Sequence, residues 1–256
     1  MRDTAGPYST LASGPHQVDR GSEPDRPTNE RLRDVSLTRV TGTTVGPVGE
    51  AFDIVRSGYD RIGVRYREWS SASPTRLNFV RRLLRELTPG SLVVELGCGP
   101  GEPATRLLAA EHRVLAVDAS LAQLRLAREA APTAALVQAD MARLNLRAGS
   151  ADAVASFYAL GHLPSHEHAP LLHAIAHWLR PGGVLLTSAP LRAGDDRDES
   201  WFGVPMYFGG IGETATRQAI ESAGLVVEEW QVVPEDEGDG KMVRFLWVLA
   251  RKPQFG

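Results

Sequence analysis

The chain has 256 residues, 43% of them hydrophobic, and its 28 Lys and Arg against 31 Asp and Glu leave a net charge of −3. That length suits one α/β domain with additions, and the balanced charge, with no long basic stretch, disfavours nucleic-acid binding through a general electrostatic footprint. No apolar run reaches the length of a membrane span, the N-terminus lacks a signal-peptide pattern, and the single cysteine, Cys98, excludes an intramolecular disulfide, so a cytoplasmic protein without membrane partners is expected.

Residues 1–47 are dominated by Pro, Gly, Ser, Thr and Arg. They hold too few large apolar side chains to offset the entropy of ordering, so a disordered leader is expected there. Residues 48–88 carry helix signals. Ser73 followed by Pro74 supplies an N-cap and a proline at the first helical position, which predicts a second helix starting at that point. Residues 89–256 then alternate strand and helix signals.

The stretch Leu92 to Ala104, LVVELGCGPGEPA, leads an apolar strand through Glu95 into glycines at alternate positions. Gly97, Gly99 and Gly101 let the backbone turn sharply and approach a ligand without Cβ clashes, and Glu95 falls at the strand end, where open α/β sheets bind ligands. A dinucleotide fingerprint, G-x-G-x-x-G, would need glycine where this chain has Glu102. A carboxylate at that helix N-terminus would repel a pyrophosphate. Cys98, inside the loop, reads as a small packing residue rather than a nucleophile.

A helix over about Glu102 to Glu111 precedes a second strand, Arg113 to Asp118. Its terminal carboxylate, about 20 residues beyond the glycines, is suited to accepting both hydroxyls of a ribose. The Ala/Leu/Arg-rich segment Ser120 to Ala131 leads to a third strand, Ala135 to Asp140, again ending in an acid. Taken singly, Asp118 or Asp140 would more often be a helix N-cap than a ligand contact. A fourth strand covers Ala153 to Tyr158, and a helix over about Glu167 to Arg180 places Leu172, Ile175, Ala176 and Leu179 in one apolar stripe. Arg180-Pro181-Gly182-Gly183 is expected to end that helix before a fifth strand, Val184 to Ser188. A last helix, Glu213 to Ala223, precedes two strands, Leu225 to Val233 and Met242 to Ala250, which an acidic, glycine-containing loop joins in antiparallel fashion.

The acidic residue before G-x-G-x-G, the strand-end acids and the pattern L-R-P-G-G-V-L-L together resemble the class I S-adenosylmethionine-dependent methyltransferases. The resemblance covers about Ala51 to Pro253. It implies a Rossmann-like, seven-stranded, mostly parallel sheet with helices on both faces, one antiparallel edge strand and an N-terminal helical lid. It also implies S-adenosylmethionine as cofactor, S-adenosylhomocysteine as product, and a cofactor site of Tyr66, Glu95, Gly97, Cys98, Gly99, Gly101, Asp118, Ala119, Asp140, Met141, Phe157 and Tyr158. Within it, Asp118 would take the ribose, Asp140 the exocyclic amine of adenine, and Met141 would meet the ring through its backbone.

Tyr59 and Tyr66 are expected in the lid, Tyr66 nearer the methionine portion; packing on an amphipathic face is the alternative for both. Ser156-Phe157-Tyr158-Ala159 departs from the Asp/Asn-Pro-Pro-Tyr motif of nucleic-acid amine methyltransferases, and the Pro-Cys nucleophile of cytosine-carbon enzymes is also missing. Both departures point to a small-molecule acceptor, methylated at oxygen or nitrogen, and a monomer or homodimer is expected. His162, just beyond the fourth strand, is the candidate base; the alternative is a residue that only shapes the pocket. Residues 191–212 are long for a connection and read as a functional loop. Trp201, Phe202, Met206, Tyr207 and Phe208 are expected to wall the acceptor pocket with Tyr59 and His162, the acidic run Asp195 to Glu199 facing solvent, unless they form satellite core or a dimer contact. His173 and His177 have metal-compatible spacing, but they share a face with Arg180 opposite the apolar stripe, so a solvated surface and no metal are expected. Two other function classes remain open: an S-adenosylmethionine-binding cyclase or other non-methylating enzyme of a biosynthetic pathway, and a non-catalytic binding module.

Overall fold

The computed structural model describes residues 47–71, 73–236 and 242–254. The expected leader therefore lies outside the described residues, apart from Pro47, as does most of the acidic loop, at residues 237–241. Two helices, α1 (Pro47–Ser70) and α2 (Pro74–Leu84), precede the sheet. Ser73 caps α2 as its sequence requires, its hydroxyl accepting from the Arg76 N–H at 3.1 Å. Gly63, at φ 28 and ψ −108, interrupts α1.

The alternating segments that follow are β1 (Leu92–Leu96), α3 (Ala104–Glu111), β2 (Arg113–Asp118), α4 (Leu121–Ala130), β3 (Ala135–Gln138), β4 (Ala151–Ser156), α5 (Ser165–Trp178) and β5 (Leu179–Pro190). Next come β6 (Ala193–Trp201), β7 (Val204–Ile211), α6 (Gly212–Ser222), β8 (Val226–Asp236) and β9 (Met242–Arg251). The main sheet has seven strands in the order β3-β2-β1-β4-β5-β9-β8. β1 to β5 pair in parallel, while β9 runs antiparallel to both β5 and the edge strand β8. This is the Rossmann-like sheet with antiparallel pairing at one edge.

Strand alternation divides the core. Val94 and Leu96 of β1 face the α5 side with Leu172, Ile175 and Trp178, while Val93 faces the α2, α3 and α4 side with Leu83, Leu108 and Leu124. Central parallel strands covered on both faces need apolar side chains in succession, and all five residues of β1 are buried, Glu95 included. The α5 stripe is buried as read from the sequence, and His173 and His177 are exposed on the opposite face.

Two elements depart from expectation. Leu179 to Gly183 continue into β5 instead of ending a helix: Leu179 pairs with Ala151, and the register shifts between Ala151 and Ala153 to absorb the glycines. Residues 191–212 are not an irregular loop but the hairpin β6–β7, in which Arg197 pairs with Tyr207 and Trp201 with Val204. Its β6 strand is exposed and acidic, whereas Val204 and Met206 of β7 are buried against Val55, Ile62 and Tyr66 of α1.

Candidate active site

The strand order reverses between β1 and β4, which opens a crevice at the carboxyl ends of the strands. The glycine loop sits in it. Gly97 has φ 69, and a Cβ there would lie 2.2 Å from that of Ala159, so no other residue fits without moving the β4 loop. Gly101, at φ 81, would meet the Ala127 Cα at 2.9 Å, so it serves close packing against α4. The N–H groups of Gly97 and Cys98 both donate to the Val117 carbonyl, at 2.8 and 3.0 Å, which binds the loop to the end of β2.

Asp118, at that end, accepts from the Gly99 N–H with one oxygen and the Ser120 N–H with the other, each at 2.8 Å. Burial raises its pKa to about 6, against the lowering effect of these N–H groups. Asp140 accepts from the Ala142 N–H at 2.9 Å, and burial pushes its pKa up as well. Each oxygen of these carboxylates keeps further acceptor capacity.

The lid is fastened at Asp60, whose Oδ1 accepts from the Ser120 hydroxyl at 2.7 Å and from the Ala122 N–H at 3.1 Å. These bonds hold α1 against the N-terminus of α4. Tyr59 thereby reaches His162, with its hydroxyl 2.8 Å from Nε2, while Nδ1 lies 3.0 Å from the Tyr207 carbonyl. A carbonyl only accepts, so Nδ1 carries the ring hydrogen and Nε2 accepts from Tyr59. Burial drives the His162 pKa down to about 4 and the Tyr59 pKa well up.

A cleft of about 80 Å³ runs over the glycine loop, lined in part by Phe52, Val55, Tyr59, Tyr66, Asp118 and His162. Across Tyr59, Tyr66, Tyr158 and His162 it adjoins a wider cavity of about 640 Å³. The first volume alone is below the roughly 300–1,000 Å³ of small-molecule sites, and it reaches that range only together with the adjoining cavity.

Of the residues expected at the cofactor, Tyr66, Gly97, Gly99, Asp118, Ala119, Asp140, Met141, Phe157 and Tyr158 line the first cleft. Glu95, Cys98 and Gly101 are buried and do not line it. Of those expected at the acceptor, Tyr59, His162 and Trp201 line the second cavity, and Met206 and Tyr207 do not. Met206 is fully buried under Gly58 of α1, and Tyr207, on the alternate face of β7, sends its hydroxyl to Asp195. Phe208, also expected in that wall, does line the cavity, and Phe202 does not.

Sequence reasoning missed Arg76. Its guanidinium is buried, sits 4.7 Å over the Tyr158 ring and leaves Nε without a partner. Glu95, with Oε2 also lacking a partner, interacts with it, yet burial raises the Glu95 pKa to about 7. Glu235 was missed too. It accepts from the Tyr158 hydroxyl and, at 3.3 Å, from Trp247 Nε1. Tyr158 holds these partners from a left-handed backbone, φ 63, a strain of about 1–3 kcal/mol of the kind concentrated at functional sites.

A methyltransferase-domain family matches residues 93–183. Over 106 residues the chain is 39% identical to a trans-aconitate 2-methyltransferase from Azoarcus sp. (strain BH72), covering 41% of each protein. A second, from Paracidovorax citrulli, is 40% identical over 117 residues, 44% of this chain and 42% of that protein. The chain thus spans about two fifths of the length of the curated relatives it matches. Among solved structures, the Burkholderia thailandensis 1,6-didemethyltoxoflavin-N1-methyltransferase, crystallised with 1,6-didemethyltoxoflavin and S-adenosylhomocysteine, has a TM-score of 0.61 at 19% identity, covering 94% of this chain and 100% of that one. That likeness is one of fold. The glycine loop, the ordered strand-end acids, the sheet order and the family match over residues 93–183 together support a methyltransferase domain of the class I S-adenosylmethionine-dependent type.

Proposed function

We propose that the chain transfers the methyl group of S-adenosylmethionine to an oxygen or nitrogen of a small-molecule acceptor, leaving S-adenosylhomocysteine. The observation that carries this reading is the junction of two clefts at Tyr59 and His162, one over the glycine loop and its acids, the other walled by aromatic rings. The trans-aconitate relatives support a small molecule as acceptor.

The residues present fit the cofactor. Gly97 and Gly99 permit close backbone approach, Asp118 has spare lone pairs for ribose hydroxyls, and Asp140 and Met141 would hold the adenine. The unpartnered atoms of Arg76 and Glu95 offer opposite charges for the amino-acid end, with Tyr66 above them. Bound there, S-adenosylmethionine supplies a methyl group on a positively charged sulfur, open to in-line displacement.

The protein's main task is then alignment, which needs no protein nucleophile. Where the acceptor must lose a proton, Tyr59 and His162 form a route: the acceptor's proton passes to the Tyr59 oxygen as the phenolic proton passes to His162 Nε2. His162 is neutral at pH 7 and only weakly basic, so this route serves acceptors with an acidic hydroxyl or a nitrogen made acidic by methylation.

Incubation with S-adenosylmethionine and a panel of hydroxyl- and amine-bearing compounds tests the reading. Methylated product in equal amount to S-adenosylhomocysteine supports it. Acceptor conversion without S-adenosylhomocysteine would replace it with the cyclase alternative.

A further inference from the structure

Resting on the methyltransferase reading above, we propose that the acceptor is a flat, apolar molecule bearing a positive charge at its outer end, and that the cavity excludes polyanions. The walls of the 640 Å³ cavity include Tyr66, Trp69, Tyr158, Trp201, Phe208 and Phe245. Trp201 stands edge-on to Tyr59 and to Phe208, with ring centroids 5.7 and 5.8 Å apart, so the walls present ring faces and edges suited to a planar guest.

Among the described residues, charge at the rim has one prevailing sign. Asp196 and Asp198 of β6, two residues apart and so on one face of the strand, meet the cavity from one side, and Glu235 and Asp236 at the end of β8 meet it from another. Against these four acids stand two arginines, Arg192 and Arg244. Arg192 pairs with Asp196 at 3.3 Å and meets the Phe208 carbonyl at 3.2 Å, so that pair cancels and Asp198, Glu235 and Asp236 face Arg244, an excess of two acids. Glu235 is held by Tyr158 and Trp247, which fixes one carboxylate where the two clefts meet. At the inner end His162 offers a neutral ring whose nitrogens are occupied. A cation therefore gains from the rim carboxylates and from the negative faces of the rings, whereas a tricarboxylate would add three like charges to an already acidic mouth.

Calorimetric titration of the full chain saturated with S-adenosylhomocysteine tests this with two probes of one ring system, 1-naphthylmethylamine and 1-naphthoate, and with trans-aconitate. The amine is expected to bind about tenfold more tightly than the carboxylate at low salt, with the preference shrinking as salt is raised, and trans-aconitate is expected not to bind. In an Asp196→Asn, Asp198→Asn double variant the preference should fall by at least about threefold, an effect sized from rim charges at partial exposure. Equal or tighter binding of 1-naphthoate or trans-aconitate, no binding of either naphthyl probe to protein that takes S-adenosylhomocysteine, or an unchanged preference in the double variant would each overturn the proposal. If S-adenosylhomocysteine itself fails to bind, the methyltransferase reading falls, and this one with it.

Discussion

Tyr59→Phe separates a proton-transfer role from a packing role at the junction of the two clefts. The substitution keeps the ring and its edge contact with Tyr66, at 4.9 Å and 82°, and removes only the hydroxyl bonded to His162 Nε2 at 2.8 Å. An acceptor nitrogen is then left unsatisfied in a buried position, which costs about 1–3 kcal/mol and lowers Tm by about 2–4 °C per kcal/mol for a domain of this size. For an acceptor that loses a proton, kcat is expected to fall by about 10²- to 10⁴-fold, while affinity for S-adenosylhomocysteine stays within about twofold. Thermal unfolding, calorimetry and a discontinuous assay of S-adenosylhomocysteine formation report the three quantities. A lowered Tm with kcat within about twofold of the native value would show that Tyr59 only packs, and the proton route would be refuted.

Three further tests follow from the same geometry. The Asp118 carboxylate, its pKa raised to about 6 by burial, accepts from ribose best when ionised, so S-adenosylhomocysteine affinity should climb from pH 5 to pH 7; calorimetry on Asp118→Asn should give weaker binding with a flat profile, and a flat native profile would contradict the assignment. Trp201→Ala should weaken acceptor binding about tenfold and Tyr207→Ala should leave it within about twofold, since only Trp201 lines the cavity; equal effects by competition binding would undo that distinction. Glu95 has a folded pKa raised to about 7, so it contributes stability below its ordinary range near 4.5 and loses that contribution as pH rises to about 7. Glu95→Gln should therefore lose less stability than the native chain between pH 5 and pH 8, by on the order of 3 kcal/mol in denaturant titrations, and parallel curves would deny the buried charge.

What the sequence made legible is what local chemistry decides. β2 coincides with its expected bounds because an apolar run starts after one helix and ends in an acid, and α2 begins where Ser73 and Pro74 specify. The glycine loop could be placed because its alternate spacing needs the left-handed backbone seen at Gly97, Gly99 and Gly101. The β6–β7 hairpin stayed hidden since β6 carries no apolar alternation: its exposed Asp195 to Glu199 read as loop, and only packing of Met206 beneath α1 gives the partner strand its burial. That packing also decides which side chains of β7 reach the cavity, hence Phe208 but not Met206 or Tyr207. Arg76 looked like any arginine in a first helical turn, and nothing local records that Tyr158 and Glu95 enclose it. Glu235 and Arg244 come to the mouth because β9, the partner of β8, also pairs with β5, a contact between segments far apart in the chain.

The central claim is that the glycine loop and Asp118 hold S-adenosylmethionine. Calorimetric titration of the purified chain with S-adenosylmethionine and S-adenosylhomocysteine, beside NADH and an Asp118→Ala variant, tests it most directly. Saturable binding of both sulfur compounds, lost in the variant and absent for NADH, is the expected result. Binding of NADH in preference to them, or their binding undiminished by Asp118→Ala, would contradict the site as assigned.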